Sequence, residues 1–81
     1  MSFLLPKPKI EAVANINIRL NGEVRDIDMG LDLVRLLEHF SLPSQRIAVE
    51  LNGTVVRRSD WHATQVNEGD RIEVVHFVGG G

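Results

Sequence analysis

Apolar and polar residues alternate in a segment that ends at an Asn-Gly pair. The apolar positions are Ile16, Ile18 and Leu20. This period of two predicts a half-buried strand. Asn21-Gly22 tolerates the positive φ values of a type I′ turn, so residues 23 to 28 are predicted to return as the second strand of a hairpin. Val24 and Ile27 lie three residues apart, which breaks the alternation and predicts a bulge or an early strand end.

The same device recurs later in the chain. Alternating Ile47, Val49 and Leu51 lead to a second Asn-Gly pair, and residues 54 to 56 are predicted to return as its partner strand. After the turn signal at residues 68 to 70, residues 71 to 78 form a run rich in β-branched side chains. This most apolar strand is predicted to lie at the centre of the sheet.

One segment has the period of an α-helix. Its apolar residues, spaced i, i+3, i+4 and i+7, are Leu33, Leu36, Leu37 and Phe40. Asp32 suits the N-cap because its carboxylate can accept from free backbone N–H groups, and Leu42-Pro43 is predicted to close the helix. Residues 59 to 61 predict a short helical turn, with Trp61 as a lid on the edge of the core.

The predicted order is strand, strand, helix, strand, strand, strand. With one helix to cover one sheet face, the fold class is α+β: a β-grasp (ubiquitin-like) mixed five-stranded sheet. A ferredoxin-like arrangement needs a second amphipathic helix, and residues 59 to 67 are too short and polar to supply it. We assign residues 14–78 to this domain. Residues 1–13, with two of the three prolines, are expected to form a flexible extension or, alternatively, to add an edge strand through residues 10 to 13.

Composition narrows the function. The chain has 81 residues, a net charge of -2 and no cysteine, which indicates one domain without disulfides, thiolate metal sites or a cysteine nucleophile. The charge lacks the basic excess of a nucleic-acid binder, and the apolar opening residues stop too early for a signal peptide or a membrane span. We expect a cytoplasmic protein, monomeric when free, with neither nucleic acid nor membrane as partner.

No catalytic signature is present. The sequence lacks the usual nucleophile, zinc-protease, phosphate-loop and calcium-loop motifs. His39, His62 and His76 fall on three different predicted elements without ligand spacing, so we expect no metal site. The sequence thus gives no visible support for a catalytic site.

The C-terminal glycines resist a structural explanation. Gly79, Gly80 and Gly81 directly follow the strongest predicted strand and are expected to form a flexible tail that can enter another protein's pocket. A frayed terminus or a leftover linker is the alternative. A terminal carboxylate is an anion that nucleophiles do not attack at neutral pH, but ATP can convert it into an acyl-adenylate that a sulfur donor displaces. Because the chain has no thiol, any sulfur that it carries covalently is expected at Gly81 as a thiocarboxylate.

The lysine distribution agrees with such chemistry. Both lysines, Lys7 and Lys9, lie in the extension, so residues 14 to 81 offer no ε-amine that can capture their own activated end. Positive charge in this part comes from seven arginines, whose guanidinium groups stay protonated.

From about residue 16 to residue 81 the sequence resembles the ThiS family, the small sulfur carriers of thiamin biosynthesis. The resemblance rests on residues 47 to 61, which contain Asn-Gly and Arg-Ser-Asp-Trp, and on residues 68 to 81, which contain Gly-Asp and end Phe-Val-Gly-Gly-Gly. It implies adenylation of Gly81 by an E1-like, ThiF-type enzyme that uses ATP and magnesium. It also implies conversion to a thiocarboxylate by a sulfur-donating persulfide protein, and delivery to a ThiG-type thiazole synthase. On this interpretation the chain is a protein co-substrate and not an enzyme, and it binds no cofactor of its own.

The resemblance also implies roles for the residues around the tail. Gly79 and Gly80 would thread the partner's channel, and Val75, Phe77 and Val78 would dock partners. Three alternatives stay open: the small subunit of molybdopterin synthase, which shares the fold and the Gly-Gly end, a ubiquitin-like modifier joined to lysines, and a passive interaction module.

Overall fold

A computed structural model of the protein describes residues 14–77. The elements, in chain order, are β1 Asn15–Leu20, β2 Glu23–Asp28, α1 Leu33–His39, β3 Ile47–Leu51, β4 Thr54–Val56, a 3₁₀ helix Arg58–Ala63, and β5 Arg71–His76. The predictions for residues 1–13, for Val78 and for the three terminal glycines lie outside the described residues. No helix in the described part is long and apolar enough to cross a membrane.

The five strands form one mixed sheet in the order β2-β1-β5-β3-β4. β1 and β5 run parallel, and the other neighbouring strands are antiparallel. The predicted β-grasp architecture is confirmed, including the central place of β5. A parallel pair at the centre requires a crossover between the two hairpins, and α1 lies on that crossover.

The core lies between α1 and one face of the sheet. The apolar stripe of the helix contributes Leu33, Leu36 and Leu37, and these pack in one buried cluster with residues such as Val49 and Ile72. The opposite face of the sheet has no covering element in the described part of the chain. We call it the open face.

Both Asn-Gly turns have the predicted geometry. Asn21 and Gly22 have φ values of 51° and 85°, and Asn52 and Gly53 have values of 53° and 88°. Positive φ at both central residues is the signature of a type I′ turn, whose twist matches that of an antiparallel pair.

The predicted bulge or early strand end in β2 is wrong. The pairing of β1 with β2 runs without interruption from Asn15–Asp28 to Leu20–Glu23, so Val24 lies on the open face with 62% exposure. Arg25 takes the inner position at this sheet edge, where its guanidinium lies 5.7 Å from the centre of the Phe40 ring. Arg25, which lies over the Phe40 ring, thus occupies a position where an alternating strand would have an apolar residue.

The helix begins as predicted and ends earlier than predicted. Asp32 Oδ1 accepts a hydrogen bond from the Arg35 N–H at 2.8 Å, which confirms the N-cap. The helix stops at His39, three residues before Leu42-Pro43. Ser41 adopts a φ of 55°, and the Leu42 N–H donates to the Leu37 carbonyl at 2.8 Å. This Schellman-type cap ends the helix before the proline has any effect.

Trp61 is a core residue rather than the predicted lid. Its side chain is 3% exposed, and its Nε1–H donates to the Val56 carbonyl at 2.9 Å. This bond satisfies the polar group of the indole, so the whole ring can be buried. Arg58 covers it from outside, with the guanidinium 4.7 Å from the ring centre.

Candidate functional site

The candidate site is the end of β5, which leads along the chain to the terminal glycines. On one side β5 pairs with β3 along its length, from Leu51–Ile72 to Ile47–His76. On the other side it pairs with β1 at two positions, Arg19–Arg71 and Leu20–Ile72. The last residues of β5 therefore extend beyond the end of β1.

Two asparagine side chains hold β5 between the turns. Asn21 Oδ1 accepts from the Val74 N–H at 2.8 Å, and Asn52 Oδ1 accepts from the Arg71 N–H at 2.8 Å. Each asparagine also donates its own N–H to a β5 carbonyl, Ile72 for Asn21 and Arg71 for Asn52. Both asparagines have positive φ. In each, the side-chain oxygen accepts the hydrogen bond that a backbone carbonyl would accept if the strand pairing continued.

The turn before β5 is fixed by one carboxylate. Asp70 accepts from the Asn52 side-chain amide at 2.9 Å and from the Asn67 N–H at 2.8 Å. These bonds join the start of β5 to the turn between β3 and β4. The strand that leads to the tail is thus anchored at its beginning and along its β3 side.

The side chains of β5 alternate between the two faces of the sheet. Ile72 is fully buried under α1 and Val74 is half-buried. Val75 and Phe77 point to the open face and are 49% and 52% exposed. The Phe77 N–H donates to the Arg46 carbonyl at 2.8 Å, so the strand pairing reaches this residue.

Two of the three predicted docking residues therefore lie together on an accessible surface. Val75 and Phe77 are two residues apart on one strand and one face, and the side chain of Ala48 on β3 lies beside Val75. We call these three residues the apolar patch. The third docking residue, Val78, lies outside the described residues, as do Gly79, Gly80 and Gly81.

Two pairs of like-charged residues lie on the open face between the apolar patch and the start of β5. Glu50 on β3 lies directly opposite Glu73 on β5, and Arg19 on β1 lies opposite Arg71. In residues 14–77 one ion pair is formed, between Arg25 and Glu23 of β2, whose positions lie on the helix side of the sheet. Like charges directly opposite each other destabilise a sheet, so neither pair favours the pairing of its two strands.

Sequence reasoning missed these charged pairs. In the sequence, each of the four residues occupies an ordinary polar position on the outer face of a predicted strand. The pairs arise from strand register, which is known only when β1, β3 and β5 are aligned. No local signal in the sequence carries this information.

The described residues give no sign of a catalytic or metal centre. In residues 14–77, no group of three or more His, Asp or Glu side chains is placed to hold a metal ion. His39 lies on α1, His62 on the 3₁₀ helix and His76 on β5. What residues 14–77 do present is the exposed end of β5, which the terminal glycines follow in the sequence.

Comparison with known proteins agrees with this arrangement. The sequence model of the ThiS family matches residues 18–81. The crystal structure of a thiamine biosynthesis protein (ThiS) from Geobacter metallireducens superposes with a TM-score of 0.73 at 35% identity, covering 82% of this chain and all of that one.

Two relatives are also informative. The sulfur carrier protein ThiS of Bacillus subtilis is 33% identical over 67 residues, which cover 79% of this chain and 98% of that protein. A thiazole synthase of Magnetococcus marinus is 42% identical over 66 residues, which are 82% of this chain but 20% of that longer protein. A segment like this chain therefore occurs as a separate small protein and as part of a larger one.

Proposed function

Because the chain belongs to the ThiS family, we propose that it is the sulfur carrier of thiazole formation in thiamin biosynthesis, with Gly81 as the residue that carries the sulfur. The observation that supports this most is the extent of the family match, which runs through the three terminal glycines to residue 81. The chain is a protein co-substrate and not an enzyme, and it works in the cytoplasm.

The first step of loading activates the tail. A carboxylate oxygen of Gly81 attacks the α-phosphorus of ATP on a ThiF-like enzyme, pyrophosphate leaves, and an acyl-adenylate forms. The enzyme supplies the magnesium that accompanies the nucleotide. Activation is required because the free carboxylate anion resists attack by a sulfur nucleophile.

The second step transfers sulfur. The terminal sulfur of a persulfide protein attacks the activated carbonyl carbon and AMP leaves, which gives an acyl disulfide. A thiol then attacks the cysteine sulfur of the persulfide protein. A new disulfide forms between these two sulfur atoms, the sulfur–sulfur bond of the acyl disulfide breaks, and the thiocarboxylate remains on Gly81. Every thiol in these reaction steps belongs to a partner, because the carrier has no cysteine.

The tail and the apolar patch bind different parts of the partner. Gly79 and Gly80 pass through a narrow channel to the reacting centre, because residues without Cβ atoms fit where side chains are blocked. Val75 and Phe77, half exposed at the base of the tail, dock against the partner together with Val78. Glu50 and Glu73 beside them favour a partner surface with basic groups.

Delivery goes to a ThiG-like thiazole synthase. The support is the Magnetococcus marinus thiazole synthase, in which a segment similar to this chain is part of the same polypeptide. Joining two partners in one chain raises their effective concentration. Such a fusion is useful when the carrier and the synthase act in the same reaction.

The lack of lysine in residues 14 to 81 fits a carrier that is activated and must not react with itself. It does not favour a ubiquitin-like modifier that builds chains on its own body. The match to the ThiS family favours thiazole formation over the molybdopterin synthase alternative.

Genetic complementation tests the proposal. The full chain is expected to restore growth without thiamin to a bacterium that lacks its own ThiS protein. A chain without Gly80 and Gly81 is expected to fail, while a matched Val24→Ala variant on the same sheet face restores growth. Rescue by the shortened chain would exclude a role for the tail and support a passive interaction module.

A further inference from the structure

The end of β5 has one paired edge and one unpaired edge. In an antiparallel pair, successive residues alternately turn both backbone groups toward the partner strand and both away from it. The Phe77 N–H donates to Arg46 and the Arg71 carbonyl accepts from Asn52, so the odd-numbered residues of β5 face β3. The even-numbered residues, Val74 and His76 among them, face the β1 side.

On that side β1 ends too early to reach them. The Val74 N–H is taken by the Asn21 side chain, and the chain turns away at Gly22. The Val74 carbonyl and both backbone groups of His76 have no hydrogen-bond partner among residues 14–77. His76 is exposed and Val74 is half-buried, so this edge is most accessible at His76.

This short edge lacks lysine, proline and a bulge, which are three of the features that prevent strand addition. Proteins protect open edges with lysine, proline or bulges. Residues 74 to 77 are Val-Val-His-Phe, and no lysine lies anywhere from residue 14 onward. An apolar, β-branched segment with free backbone groups is a template for another strand, and it lies at the base of the glycine tail.

We infer that the free edge at Val74 and His76 is a strand-addition site for an extended segment of the adenylating enzyme that receives the tail. This inference rests on the proposed function. The incoming segment donates backbone N–H groups to the Val74 and His76 carbonyls and accepts from the His76 N–H. Main-chain bonds of this kind supply affinity and hold the carrier strand in one register, which aims the residues that follow it.

A groove on the helix side of the sheet offers a place for a side chain of the incoming segment. Its volume is about 300 Å³, and Asn21, which contacts Val74, is one of its lining residues. The other lining residues are Leu20, Glu23, Arg25, Phe40 and Leu42. Because apolar side chains and the exposed Arg25–Glu23 pair both line the groove, it suits a side chain with an apolar stem and a polar end.

Hydrogen exchange of the full chain tests the edge directly. In the free chain the His76 amide is expected to exchange rapidly and the Phe77 amide, which donates to Arg46, slowly. With the ThiF-like enzyme encoded in the same genome, and without ATP, we expect at least tenfold slower exchange at His76. Fast exchange at His76 in a complex that forms would overturn the inference.

A matched pair of variants separates the backbone from the side chain. His76→Pro removes the N–H that has no partner in the free chain, whereas His76→Ala keeps it. The first is expected to weaken binding at least tenfold and the second less than threefold. Equal binding by both would contradict strand addition. If the proline variant fails to fold, the exchange measurement on the unmodified chain decides.

Two further outcomes identify which proposal fails. Absence of both binding and ATP–pyrophosphate exchange would overturn the proposed function, and this inference with it. Concentration-dependent protection of His76 in the free chain, together with dimers in sedimentation, would show that the edge pairs with a second copy and not with the enzyme.

Discussion

The side-chain oxygen of Asn21 accepts a hydrogen bond from the Val74 N–H at 2.8 Å, across 53 residues of sequence. Asn21 thereby extends the parallel pairing of β1 and β5 by one bond after its own backbone has turned away. Asn52 does the same for the Arg71 N–H from the opposite side. The central strand is held between two turns. The asparagine of each turn adopts the positive φ that the turn requires, and its side chain also accepts a hydrogen bond from β5.

Replacing Asn21 by glycine is expected to remove the side-chain hydrogen bond to β5 while the turn is kept. Glycine keeps the positive φ of the turn but leaves the Val74 N–H without its acceptor, so the free energy of unfolding should fall by about 0.5 to 1.5 kcal/mol. Urea denaturation measures this change. Asn21→Asp, which keeps an acceptor oxygen and tolerates the same φ, is the control and should lose less. Equal stability of Asn21→Gly and the unmodified chain would show that the bond contributes nothing.

The sequence predicted these two turns but not the hydrogen bonds from their asparagine side chains to β5. An Asn-Gly pair between alternating segments is a local signal, and so is Asp32 before an apolar helical stripe. The bonds from Asn21 and Asn52 to β5 depend on residues 53 and 19 positions away in the chain. They follow from the sheet order, which no local pattern contains.

Replacing Phe77 by alanine is expected to separate docking from folding. The ring is 52% exposed on the open face, so the free energy of unfolding should change by less than about 1 kcal/mol. Loss of an aromatic anchor should weaken binding to the ThiF-like enzyme by about tenfold or more. Calorimetric titration measures the affinity.

Val24→Ala is the matched control for this variant. Val24 is 62% exposed on the same face but belongs to the edge strand β2, away from the apolar patch. It should leave both stability and affinity nearly unchanged. Equal loss of affinity in the two variants would place the docking surface elsewhere.

Glu50→Gln is expected to stabilise the free protein. The change removes one of two like charges that face each other across β3 and β5, which should raise the free energy of unfolding by about 0.2 to 1 kcal/mol. The gain should shrink at high salt, because exposed charges are then screened. Thermal unfolding at two ionic strengths measures it.

Asp26→Asn serves as the comparison for Glu50→Gln. Asp26 lies opposite the neutral Asn17, so removing its charge relieves no directly opposed repulsion. A gain of the same size in both variants would mean that net charge, and not the facing pair, sets the stability.

Trp61→Phe is expected to destabilise the core. The ring stays apolar, but the Val56 carbonyl loses the hydrogen bond from Nε1–H and the smaller ring leaves space beside α1. The free energy of unfolding should fall by about 1 to 3 kcal/mol. Denaturation followed by circular dichroism measures the loss, and an unchanged midpoint would contradict the role of the buried bond.

Trp61, β2 and the end of α1 show where local patterns failed. A tryptophan among polar neighbours suggests an edge position, and only the carbonyl of Val56 makes its burial possible. Arg25 takes an apolar position because Phe40 is near it in space. Ser41 ends the helix in a conformation that serine does not favour by itself. In each case a contact made in the folded chain outweighed the local preference.

Intact-mass spectrometry of the full chain tests sulfur carriage most directly. After incubation with the ThiF-like enzyme, magnesium, ATP and a persulfide donor, the mass should rise by the difference between one sulfur and one oxygen atom. Fragmentation should place the gain in the peptide that ends at Gly81, and omission of ATP should abolish it. An unchanged mass in a mixture where the chain is folded and bound to the enzyme would contradict the proposed role, as would a gain located elsewhere in the chain.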